Sequence, residues 1–175
     1  MGKLCKPKFI VSLLVLIGFA VNAATAAAIS FQIIQHDSSQ ERLRSASEVV
    51  ENTFFDYFFD HGNIVTNFPT AVSSGNAEDQ SIYYKSLDES AEGSCQYFIV
   101  LIMEYDTASS SNPEAVILHN IKQMEWELFD VKTGTKLGYG KKNVTNINAS
   151  SDNTNGVAVF SRSVASEIYK FLIKR

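Results

Sequence analysis

Residues 96–105, QYFIVLIMEY, decide the fold. No residue from Phe98 to Met103 is polar, and successive side chains of a strand point to opposite faces. A strand here is therefore apolar on both faces. Such a strand is covered on both sides, which places it near the middle of a sheet and not at an edge.

Working toward the C-terminus, residues 107–113 (TASSSNP) read as a polar loop and 115–130 as a long strand. Met124, Trp126 and Leu128 face one way while Glu125 and Glu127 face the other, so one face is buried and the other wet. Residues 131–135 (VKTGT) make a turn with Gly134, and 136–144 return as the second arm of a hairpin. A polar loop, 145–155, leads to a last helix at 156–173, which buries Val157, Phe160, Val164, Ile168, Phe171 and Leu172 at helical spacing.

Toward the N-terminus, a helix over about 78–92 turns Ile82, Leu87 and Ala91 inward and ends at Gly93. Residues 70–76 read as loop, and 63–68 (NIVTNF) as a strand closed by Pro69. A capping box, Ser38 with Glu41, opens a helix that runs to His61 and stops at Gly62. Its apolar stripe is Leu43, Ala46, Val50, Phe54, Tyr57 and Phe58. Residues 29–35 (ISFQIIQ) form the first strand. The order is β-α-β-α-β-β-β-α, an α+β fold with a single mixed sheet and helices packed on it.

The first 26 residues stand apart. Lys3, Lys6 and Lys8 precede an apolar run at 9–21, and small residues follow, with candidate cleavage sites at 21–23 and 24–26. This order of positive, apolar and small is that of a secretory signal peptide. The run stops short of the ~20 residues a membrane-spanning helix needs. Residues 1–26 are thus expected to be removed, leaving 27–175 as one domain, periplasmic or secreted. The whole chain carries a formal charge of −4, and loss of the three leader lysines takes it to −7. An acidic chain without a Lys/Arg cluster is a poor ligand for nucleic acid or an anionic membrane surface. Cys5 leaves with the leader, so Cys95 has no partner for an internal disulfide. No cysteine directly follows the apolar run, so an acyl anchor is not expected.

Residues 89–102 (ESAEGSCQYFIVLI) and 128–140 (LFDVKTGTKLGYG) carry a resemblance. The first pairs a helix end and glycine turn with an apolar strand; the second is a strand ending in Asp, a Thr-Gly turn and a return strand. With the first helix and the 63–68 strand, the pattern resembles the N-terminal domain of TolB. That fold also occurs in periplasmic activators of penicillin-binding proteins and in the curli-secretion channel subunit. The resemblance covers about residues 29–173 and rests on structural motifs; Thr133 and Gly134 shape a turn. It implies binding to another cell-envelope protein. The 175 residues contain no TolB propeller, no lipid anchor with a Pro-rich tether, and no long alternating segment for a channel's membrane hairpins.

No catalytic constellation emerges. His36, His61 and His119 lack metal-ligand spacing, and no phosphate loop, nucleophile elbow or dinucleotide fingerprint is present. Asp56, Asp60, Asp88, Glu89 and Glu92 read as solvated helix faces. Glu104 marks the emergence of its strand into water. No catalytic, metal or cofactor residue is therefore assigned.

One feature breaks the helical pattern. Glu41, Arg44, Glu48, Glu51 and Asn52 form the polar face of the first helix, and Phe55 and Phe59 fall on that same face, one turn apart. Exposed aromatics at that spacing make an apolar patch, so Phe55 and Phe59 are the candidate partner-binding residues. The expected function is a non-enzymatic, exported protein-binding domain, an envelope accessory or assembly factor, with self-association possible. The alternative is a small-ligand or lipid carrier, or a minor hydrolase, which requires a pocket with at least two inward-facing polar groups.

The leader yields the first prediction. Intact-mass measurement of the exported protein shows loss of about 23–28 residues. A product that still starts at Met1 or Gly2 contradicts the signal.

Overall fold

The computed structural model describes residues 26–37, 42–145 and 147–174. The signal sequence, apart from Ala26, and the Ser38–Glu41 capping box lie outside the described residues. Ten elements follow one another: β1 (Ala28–His36), α1 (Ser45–Asp60), β2 (Ile64–Asn67), β3 (Ala71–Ser73), α2 (Asn76–Glu92), β4 (Tyr97–Tyr105), a 3-10 turn (Leu118–Asn120), β5 (Ile121–Asp130), β6 (Thr135–Asn143) and α3 (Thr154–Leu172).

The expected α+β order is present, as one mixed sheet ordered β2-β1-β4-β5-β6. The short β3 is added to it, pairing with β1 beyond β2 in the segment expected to be loop. β1 runs parallel to β4, from Ile29 opposite Tyr97 to His36 opposite Glu104. β4, β5 and β6 then alternate in direction. The apolar strand is thus flanked by β1 and β5, as its sequence requires.

The two faces of the sheet are covered unequally. Ile29, Phe31 and Ile33 of β1, with Ile99, Leu101 and Met103 of β4 and Met124, Trp126 and Leu128 of β5, face α1 and α3 in the main core. α1 contributes Ala46, Val50, Phe54, Tyr57 and Phe58 to that core, and α3 contributes Val157, Val164, Ala165 and Ile168. On the opposite face a smaller cluster joins Ile34, Phe98, Val100 and Phe129 to Leu87 of α2. The glutamates of β5 occupy the rest of that face, where Glu127 pairs with Lys136 and Glu125 with Lys141.

Several expected positions differ, each for a local reason. α2 turns Ser86 and Ser90 inward, while Ala91 is exposed. The two serines complete a polar seam with β1: Ser30 donates to Ser90 and Ser86 donates to Gln32, both buried. Arg44 is buried beneath Asp37, to which it is ion-paired, and also donates to the Pro113 carbonyl. Leu43 is exposed. α1 begins at Ser45 without a side-chain cap. The chain entering it is held instead by Gln35, whose side-chain oxygen accepts from Arg44 N and Ser47 Oγ at 2.9 and 3.0 Å. β5 begins at Ile121 and not at 115, because the Asn120 amide donates to the carbonyls of Asn112, Pro113 and Ala115 and curls the segment before it.

Phe171, expected to be buried, is 39% exposed near the end of α3, where its ring meets Trp126 edge-on with centres 5.3 Å apart. The indole lies flat beneath β6. A Cβ on Gly140 would stand 2.6 Å from it, and one on Gly138 3.1 Å from the Phe171 ring. Only residues without a side chain fit there, so Trp126 fills the space that β6 leaves empty.

Leu101 is fully buried and pairs across from Trp126. Leu101→Asp places an unpaired charge between the layers, at a cost of about 3–5 kcal/mol. The variant should melt about 10 °C or more below the parent by circular dichroism. A drop of only a few degrees contradicts the central position of β4.

Candidate functional site

α1 presents two faces. Its buried stripe meets the sheet, and the opposite flank descends toward β2. Glu51 fixes that flank: its carboxylate accepts from Asn67 Nδ2 of β2 and from Thr70 Oγ1 at 2.8 Å. Phe55 lies one turn beyond Glu51 and Phe59 one turn beyond that, so the three form a row along the outer flank of α1 that Glu51 ties to β2. The two rings stack on each other, 6.4 Å between centres and 15° between planes. Phe55 is 36% exposed and Phe59 63% exposed. The buried rings Phe54 and Phe58 lie immediately beside them in sequence and have no exposure at all. The helix therefore divides four phenylalanines between core and surface. The Phe55–Phe59 juxtaposition expected from the wheel is present, whereas Arg44, expected on the same polar face, is drawn into the interior.

The histidines do not converge. His36 Nε2 bonds the nearly buried Asp79 of α2 at 2.8 Å. His119 Nδ1 bonds Asp152 at 2.9 Å on the surface. His61 donates from Nδ1 to the Tyr57 carbonyl at 2.6 Å and lies between the rings of Tyr57 and Tyr169. It thereby caps the end of α1. Among the described residues no three His, Cys, Asp or Glu side chains are grouped to hold a metal ion. The His36–Asp79 pair joins residues 43 positions apart, a separation that no local sequence pattern records. Glu104 is not simply a solvated strand end: it accepts from Lys122 and Gln123 of β5. That contact holds the Lys122 ammonium above its ordinary range.

A cavity of about 720 Å³ opens at the pole where α1, α3 and the start of β4 meet, with His61, Asn63, Cys95, Asp130 and Tyr169 in its wall. Its size suits a small ligand. Gln96 and Lys132 also line it, while three of its polar groups make contacts within the fold. His61 is bonded to Tyr57, and Asn63 donates to the Phe58 carbonyl. Asp130 accepts from the Thr133 N–H and hydroxyl, which hold its carboxyl below the usual range. Cys95 is a free, half-buried thiol.

Sequence reasoning missed the edge beside the aromatic pair. β2 pairs with β1 on one side, and among the described strands none pairs with the other. A composition signal marks the region: residues 45–84 contain no Lys or Arg but hold Glu48, Glu51, Asp56, Asp60, Glu78 and Asp79. No helix among the described residues is long and apolar enough to cross a membrane.

The chain belongs to the family described as "Uncharacterised protein", whose profile matches residues 28–173. No curated protein matches the sequence. Solved structures similar at low identity include the following three. The PelC dodecamer from Paraburkholderia phytofirmans is 11% identical, covering 84% of this chain and 87% of that one, with a TM-score of 0.48. TolB from Acinetobacter baumannii is 12% identical over 83% of this chain and 28% of its own, with a TM-score of 0.43. The LpoB C-terminal domain from Salmonella enterica is 14% identical over 77% of this chain and 94% of its own, with a TM-score of 0.37.

Proposed function

We propose that residues 27–175 of this family member form an exported, non-enzymatic domain that binds another cell-envelope protein through Phe55 and Phe59. Residues 1–26 act as its signal peptide, and the domain works in the periplasm or outside the cell as an accessory or assembly factor.

The observation that carries this reading is the stacked, solvent-facing pair on a helix whose other phenylalanines are buried. Phe59 keeps most of its ring in water and Phe55 about a third of its surface, and aromatic side chains commonly anchor interfaces. Glu48 and Asp56 are exposed on the same helix and keep its outer surface charged. The histidines support the non-enzymatic part, since each is committed to a separate structural contact.

The test replaces Phe59 with a photo-crosslinking phenylalanine analogue and irradiates intact cells. A discrete adduct with one envelope protein is expected, and it should be absent when the analogue is placed at the buried Phe54. The double variant Phe55→Ser with Phe59→Ser should lose partner binding while its melting temperature moves by only a few degrees. A large loss of stability assigns both rings to packing and removes the basis of the reading.

A further inference from the structure

The two edges of the sheet are treated differently by the sequence. β6 carries Lys136, Lys141 and Lys142, a lysine fringe of the kind that keeps an edge from accepting another strand. β2 reads Ile64-Val65-Thr66-Asn67 and has no charge at all. The N–H groups of Ile64 and Phe68 donate to the carbonyls of Ala27 and Phe31, each at 2.9 Å. Backbone groups alternate in direction along a strand, so the N–H and C=O of Val65 and Asn67 point the other way, to the open edge. Glu51, at the head of the helical row that continues to Phe55 and Phe59, is bonded to Asn67 of this strand, and Ile64, whose side chain faces the opposite side of the sheet, is 65% exposed. The surroundings are acidic, since no cation occurs between Arg44 and Lys85.

We propose that β2 accepts an extended segment of the partner protein as an additional strand of the sheet. This rests on the reading of Phe55 and Phe59 as the docking surface and specifies what occupies it. The segment carries apolar residues at alternate positions, which pack on Phe55 and Phe59, and a net positive charge that answers the carboxylates of 45–84. The backbone groups of Val65 and Asn67 bond its main chain, and the side chains select it.

The probe is a fluorescein-labelled heptapeptide of alternating valine and lysine, with valine and glutamate in the control. The first binds the mature chain, more weakly as salt rises, and the control does not. Amide hydrogen exchange at Val65 and Asn67 slows in the complex. Val65→Pro removes one outward N–H and leaves the bonds of Ile64 and Phe68 in place. It lowers affinity about tenfold, the weight of one hydrogen bond. The exchange measurement on the unsubstituted chain decides the matter if Val65→Pro perturbs folding.

Absence of binding overturns the proposal, as does binding that leaves the Val65 and Asn67 amides unprotected. Self-association in sedimentation that protects the same two amides also overturns it, assigning the edge to a second copy. Unprotected amides together with a Phe59 crosslink refute strand addition alone. Protected amides with no Phe59 crosslink refute the envelope partner and leave strand addition standing.

Discussion

The parallel pairing of β1 with β4 is the constraint on which the rest of the molecule depends. Both strands are buried on both faces, and their register brings Phe31 beside Ile99 and Ile33 beside Leu101. Once the two are paired, each face has an apolar centre that must be covered. α1 and α3 cover one and α2 the other. β5 joins β4 as the near arm of a hairpin, and β2 and β3 share the remaining edge of β1. The parallel contact also fixes where the polar ends fall. His36, Glu104 and the start of α2 gather at one end of the strands, while Cys95 and the pole cavity lie at the other.

Much of this architecture is legible in residues whose patterns are strong. The unbroken apolar run of β4 gave away its interior position, and the alternation of Met124, Glu125, Trp126 and Glu127 identified a strand with one wet face. Where the pattern was weak, tertiary contacts prevailed. β3 is three residues in a Ser/Thr-rich segment, and only the length of β1 beyond β2 provides its partner. Arg44 looks like a surface residue in any helical projection, yet Asp37 and the Pro113 carbonyl draw it inside. Asn120 curls a segment whose composition alone reads as strand. The exposure of Phe55 and Phe59 was legible because charged neighbours share their side of the wheel. The open edge next to them was not, since edge position follows from the strand order and no local sequence records it.

The two faces of α1 show how one helix serves two solvents. Phe54 and Phe58 contribute to the core with rings tilted against Phe31 and each other. Phe55 and Phe59, displaced by one position, turn the same chemistry outward. The outer pair lies where Glu51 ties the helix to β2 and Thr70, so the surface it offers is held by the same bonds that seat the helix on the sheet. A rigid apolar surface loses less conformational freedom on binding than one carried by a loop.

The chain order sets a timing problem. Ile29 is opposite Tyr97, 68 positions later, yet β1 is the first strand to be synthesised. At about 5–20 residues per second, roughly 3–14 s separate the appearance of β1 from that of β4. In that interval β2, β3 and α1 supply one edge and one face of β1, while its other edge and the face turned to α2 still lack their partners. β1 therefore takes its central place in the sheet only once β4 is available, so the long-range parallel pairing, and not the local helices, sets when the fold can close.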